Sequence, residues 1–269
     1  MARAPGGRGR RPPVLKKFGQ HFLSDPQILS AIVDALAPTP RDTVVEVGPG
    51  RGSLTDILVE RSGRVVAVEI DRALAEQLRQ KYRDRPNVEI IEGDFLETDL
   101  TAMAGKDFLL IGNVPYYITT PIVFRALEPP MPRRSVFLVQ REVAERMAAA
   151  PGTESYGALS VNIASVANVQ QVLTVPATAF RPPPKVESAV VRLTPRAEPL
   201  VPLASLDGFR TFVQAAFGLR RKQMVRVLRT VRGLSAERAA ELLKHAGIDR
   251  SARPEVVAPV EFARLFELV

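Results

Sequence analysis

The chain has 269 residues, 46% hydrophobic and 25% charged, enough for one large domain or a large domain with a small companion. Its 37 basic and 29 acidic residues leave a net charge of +8, which points to a polyanionic partner, most simply nucleic acid. The absence of cysteine excludes disulfides, thiolate zinc sites and cysteine nucleophiles; two histidines, His21 and His245, argue against a histidine metal site or triad; and no apolar run is long enough to cross a membrane.

Residues 1–15 form a basic tail rich in Gly, Pro and Arg, expected to be disordered when free. Prolines follow its charges where a signal peptide would be apolar, so a cytoplasmic protein is expected. Asp25 and Pro26 predict a helix start, and Ile28, Leu29, Ile32, Val33 and Leu36 continue it at helical spacing. Residues 43–47 read as a buried strand running into Gly48-Pro-Gly-Arg-Gly52 and a helix from Ser53 to about Arg61. A second strand, 64–68, ends on Glu69, and Asp71 caps the helix that follows. The third strand, 87–91, is closed by Gly93 and Asp94. Phe108 to Ile111 is a fourth strand, expected to stop on Gly112 and Asn113 before Pro115. Val136–Val139 is a fifth strand, 156–166 a helix, 169–175 a sixth strand, Phe180–Val186 a stiff loop and 188–193 a seventh strand.

This alternation predicts an α/β fold, a doubly wound, mostly parallel seven-stranded sheet with helices on both faces. The last two strands lie closer together, which leaves room for one to insert antiparallel. The expected α/β unit covers residues 16–197; beyond Pro199 and Pro202 only helical periodicity remains, giving a small all-α unit over 203–269. Two acid-free basic clusters flank the core. One is the tail through Lys16 and Lys17; the other holds Arg220, Arg221, Lys222, Arg226, Arg229 and Arg232. Both are candidate RNA- or DNA-binding surfaces.

The chemistry is written at the strand ends. The turn Gly48–Gly52 lets a ligand approach the backbone at a helix start. Ser53 stands where a dinucleotide fingerprint wants glycine, and Pro49 removes an amide that a pyrophosphate would use, so a ligand without phosphates is preferred. Glu69, 21 positions after Gly48, is placed to accept from ribose hydroxyls, and Asp94 from an adenine amine. These features describe an adenosine cofactor, and S-adenosyl-L-methionine fits. The stretch Asn113-Val-Pro-Tyr-Tyr117 can be a proline turn with packing tyrosines. It can equally offer an amide oxygen and an aromatic face to a flat base bearing an amine. No metal is called for.

The ordered motifs Phe18-Gly-Gln-His-Phe-Leu23, Glu46-Val-Gly-Pro-Gly50, Glu69-Ile-Asp71, Gly93-Asp94, Asn113-Val-Pro-Tyr-Tyr117, Gln140-Arg-Glu-Val143 and Phe180-Arg-Pro-Pro-Pro-Lys-Val-Glu-Ser188 resemble the ribosomal RNA adenine N6-dimethyltransferases. Within them the bacterial small-subunit (16S) branch is closest in pattern. The resemblance implies cofactor contacts at His21, Leu23, Gly48, Gly50, Glu69, Asp94 and Asn113. His21 stands where the family commonly has asparagine; a histidine can still donate a hydrogen bond. It implies that Asn113 and the Val114 carbonyl, with Pro115, hold an adenine amine, that Tyr116 stacks on the base and that Phe180 packs on its other face. It implies S-adenosyl-L-homocysteine as product and small-subunit rRNA in a 30S precursor as partner, with the enzyme a monomer. The rivals are a large-subunit (23S) rRNA N6-methyltransferase, a DNA adenine methyltransferase, and a non-catalytic ribosome-assembly or transcription factor on the same fold.

Overall fold

The computed structural model describes residues 22–269; Lys16, Lys17 and His21 lie outside them. The short strand β1 (Phe22–Leu23) precedes α1 (Pro26–Leu36), where the Asp25 carboxylate accepts from the Gln27 and Ile28 amides as the spacing predicts. Then come β2 (Thr43–Val47), α2 (Ser53–Arg61), β3 (Arg64–Glu69), α3 (Arg72–Lys81), β4 (Val88–Glu92), α4 (Leu100–Ala104), β5 (Leu109–Asn113), α5 (Thr119–Ala126), β6 (Arg134–Gln140), α6 (Arg141–Ala148), α7 (Ala158–Ala164), β7 (Ala167–Val175), β8 (Phe180–Arg181) and β9 (Ser188–Pro195). The chain closes with α8 (Leu206–Gly218), α9 (Met224–Arg232), α10 (Ala236–Ala246) and α11 (Pro259–Leu268).

Seven strands form one sheet in the order β4-β3-β2-β5-β6-β9-β7. The pairs from β4 to β6 are parallel, while β9 runs antiparallel to both β6 and β7. The central strands carry continuous apolar runs because helices cover both faces. Val45, Leu110, Phe137 and Val191 face one core, and Val44, Ile111, Val136 and Val190 the other, as the period of two requires.

The fourth strand ends on Asn113 as expected: Gly112 pairs with Val47 and Phe137 on either side, and Asn113 with Leu138. Two readings change. The stretch read as a loop begins with a strand, since Phe180 and Arg181 pair antiparallel with Leu23 and Phe22. The helix expected over 156–166 is shorter, because Gly157 is extended and the chain joins β7 at Ala167.

Candidate active site

The strand order decides which residues meet. β4, β3, β2 and β5 are consecutive, so Asp94, Glu69, the Gly48–Gly52 turn and Asn113 stand side by side at the carboxyl ends of four neighbouring strands. Three inter-strand steps of about 4.8 Å set this row at roughly 14 Å. In a doubly wound sheet a crevice opens there. The cleft is lined by Gly48, Gly50, Glu69, Asp94, Asn113, Val114, Pro115 and Tyr116 among the predicted residues, with Leu23 at its edge.

Glu69 is buried, and each carboxylate oxygen is fixed by a backbone donor. Oε2 accepts from Gly50 N and Oε1 from Asp71 N, both at 2.9 Å. Burial pushes its carboxyl above the ordinary range, against the pull of these hydrogen bonds. One acid thus ties the glycine turn to the start of α3, and each oxygen keeps a further lone pair for a ligand hydroxyl. Gly50 has φ +60°, and a Cβ there would stand 3.0 Å from the Phe22 ring, so the position needs glycine for its backbone and for the ring that roofs it. The Arg51 guanidinium lies 4.3 Å from the centre of the same ring. Asp94 accepts from Leu96 N at 2.9 Å, which aims the carboxylate along the sheet end.

Asn113 closes β5, and the backbone turns after Pro115, where the Ile118 amide donates to the Pro115 carbonyl at 3.1 Å. Tyr116 is half-buried, and its hydroxyl shares a 2.7 Å hydrogen bond with Ser188 on β9. Burial raises its pKa, so the ring is a neutral, fixed face beside Asn113. Phe180 is placed differently from its expectation. It is fully buried with Leu23, Val175 and Val190, and is not among the residues lining the cleft. Pairing of β8 with β1 turns its ring inward.

Four further residues belong to the cleft. Ile70 is 50% exposed and Tyr117 64% exposed, both apolar surfaces offered to a ring. Phe22 forms the roof, and Glu46 lies 1% exposed on the floor, its Oε2 accepting from Thr55 Oγ1 at 2.6 Å. An acid inside the apolar run Thr-Val-Val-Glu-Val was the available signal for Glu46, and an exposed isoleucine between two acids the signal for Ile70.

The residues fit an adenosine cofactor: paired acceptors for hydroxyls, an acid for an amine, apolar surface for a ring, and a backbone turn free of side chains. Among the described residues no group of three or more His, Asp or Glu could hold a metal ion. Of the C-terminal basic cluster, Arg220 is engaged, pairing with Glu255 at 2.8 Å and donating to the Glu154 carbonyl at 3.2 Å. Arg221, Lys222, Arg226 and Arg229 are exposed, and none is in an ion pair among the described residues. No helix of the described residues is long and apolar enough to cross a membrane.

The family model for ribosomal RNA adenine dimethylase matches residues 14–269. A ribosomal RNA small subunit methyltransferase A from Alkaliphilus metalliredigens is 43% identical over 257 residues, 93% of this chain and 90% of that one. The protein of the same name from Geobacter metallireducens is 40% identical over 96% of both chains. Among solved structures, the 23S rRNA methyltransferase ErmE superposes with a TM-score of 0.72 at 32% identity, over 91% of this chain and 98% of that one. A dimethyladenosine transferase from Plasmodium falciparum gives 0.77 at 25% identity, over 91% and 96%.

Proposed function

The chain belongs to the ribosomal RNA adenine dimethylase family, and from that premise we propose that it transfers methyl groups from S-adenosylmethionine to the N6 amines of two adjacent adenines near the 3′ end of small-subunit rRNA, within an assembling 30S particle. The observation that carries the reading is the row of four strand ends, in which acceptors for an adenosine lie beside an amide and an aromatic ring suited to a second adenine.

The cofactor, when bound, supplies an electrophilic sulfonium methyl. The protein's own part is positioning and electrostatics. Glu69, already locked by two backbone amides, holds the ribose hydroxyls, and Asp94 accepts from the adenine amine of the cofactor. The N6 lone pair of the target adenine is delocalised into its ring. Asn113 Oδ1 and the Val114 carbonyl accept its two hydrogens, which draws the nitrogen toward a tetrahedral shape and points its lone pair along the row. Tyr116, tied to Ser188, stacks on the base, worth about 1–3 kcal/mol. The target is therefore single-stranded or flipped out. Arg221, Lys222, Arg226 and Arg229 offer an exposed basic face to the phosphates of the particle, and Lys16 and Lys17 extend the same reading into residues 1–21, where His21 is the further cofactor contact.

The small-subunit target rests on relatives that carry that name at 40–43% identity over more than nine-tenths of the chain. A large-subunit target is the second reading, favoured by the likeness to ErmE at 32% identity. The test is methylation of small-subunit particles from a strain lacking the modification, with primer extension to map the bases. Stops at two adjacent adenines near the 3′ end are expected. Modification confined to large-subunit rRNA would overturn the target. Asn113→Ala is expected to lower methyl transfer by about 10²-fold or more while S-adenosylmethionine affinity, read by calorimetry, falls far less. Turnover near wild type would sink the mechanism.

A further inference from the structure

The glycine turn is held not only from the sheet but also from behind, by a network on the side away from the cleft. Three glycines with φ of +64°, +60° and +81° make Gly48–Gly52 a segment with little conformational preference of its own. From the sheet, Gly48 N donates to the Val68 carbonyl and Gly50 N to Glu69. From behind, the end of α3 reaches across about thirty residues of chain. The Tyr82 hydroxyl is 2.7 Å from Asp56 Oδ1 and 3.1 Å from the Gly52 carbonyl oxygen, and Lys81 Nζ is 2.7 Å from Asp56 Oδ2 and 3.5 Å from the Arg51 carbonyl. A hydroxyl has one proton, so Asp56 takes the main bond and Gly52 the weaker branch. Tyr82 is 7% exposed, and a Cβ on Gly52 would meet its oxygen at 2.6 Å, so the phenol presses directly on the turn.

The opposite side of the same turn lines the cleft. We propose that Tyr82, anchored by Asp56 and Lys81, is a positioning residue for the cofactor, setting the shape of the Gly48–Gly52 turn and hence cofactor affinity while taking no part in methyl transfer. This rests on reading the cleft as the S-adenosylmethionine site. The reacting base is held on β5, two elements away from the phenol, so the effect belongs in binding and not in the chemical step.

The test uses the full chain and two near-isosteric variants, Tyr82→Phe and Asp56→Asn, with S-adenosylmethionine titrated by calorimetry and kinetics run on unmethylated small-subunit particles. Tyr82→Phe is expected to raise both Kd and KM for the cofactor about three- to tenfold, a part of the worth of its hydrogen bond to the Asp56 carboxylate, with kcat within twofold. Asp56→Asn is expected to act in the same direction, and the double variant to fall short of the product of the two effects. Unchanged cofactor Kd in Tyr82→Phe, with or without a lower Tm, would reduce the residue to scaffold and overturn the proposal. A loss confined to kcat would overturn it too. Failure of the wild-type chain to bind S-adenosylmethionine would instead overturn the assignment of the cleft.

Discussion

The burial of Glu46 has a thermodynamic consequence. It sits on the floor of the cleft with Thr55 as its hydrogen-bond partner. Burial pushes its pKa from 4.5 up to about 7, the Thr55 bond pulls the other way, and the nearby charges of Glu69 and Asp56 push it further up. The folded state therefore binds a proton between these values that the unfolded chain has already lost. Stability is fully present below about pH 4.5 and falls as pH rises toward 7. A shift of this size is about 3 kcal/mol. Glu46→Gln keeps the shape and an acceptor for Thr55 but cannot ionise. In urea denaturation of the ligand-free chain, the two proteins are expected to be similar near pH 4.5, and the variant more stable by about 2–3 kcal/mol at pH 8. Titrating groups that do not interact with Glu46 cancel in that difference. Parallel pH curves would show that Glu46 ionises without penalty.

The paired strands β1 and β8 tie the cleft's roof to the core, since Phe22 roofs the glycine turn while its neighbour Leu23 pairs with the buried Phe180. Because Phe180 is fully buried, Phe180→Ala is expected to cost about 3–5 kcal/mol, and Phe180→Leu, which refills much of the space, far less. With Phe180→Leu, methyl transfer is expected to persist within a few-fold. Loss of kcat at intact stability would mean that the ring leaves the core to meet the base. This pair also marks where the sequence stopped being informative. β2, β3 and β5 are apolar runs bounded by glycine, acid or proline, so both the strands and the residues at their ends were legible. Two-residue strands have no period, and the partners of Phe22 and Leu23 lie far away in the chain. The five-residue α4 is likewise too short to repeat a pattern. Tyr82 carries no signal in the sequence, because its contact with Gly52 exists only once α3 is laid against α2.

The helical segment after residue 203 was read as a unit set apart by prolines, yet its packing makes it continuous with the sheet. One apolar cluster runs from Phe137 and Val139 through Tyr156, Val161 and Ile163 to Phe209, Phe212, Phe262 and Leu265. The buried Tyr156 hydroxyl donates to the Val257 carbonyl at 2.7 Å. Arg210 on α8 is only 12% exposed in its side chain; it pairs with Glu128 at 2.6 Å and lies 4.6 Å from the Phe124 ring on α5. Prolines and a change of periodicity signal a change of architecture, but they do not reveal whether the next segment shares the core, since helix amphipathicity is the same against a sheet as against other helices. Shared burial couples the two parts energetically, so local opening of the helices would expose the aromatic face they cover. Urea unfolding is therefore expected to give one transition, with tyrosine fluorescence and far-UV circular dichroism coincident and an m-value appropriate to the whole chain. The probes are well placed: the chain has four tyrosines and no tryptophan, and Tyr156 sits at the junction while Tyr116 lines the cleft and Tyr82 lies behind the glycine turn. A second transition, with the tyrosine signal split between them, would show that the helices fold independently and that the common cluster contributes little to holding them.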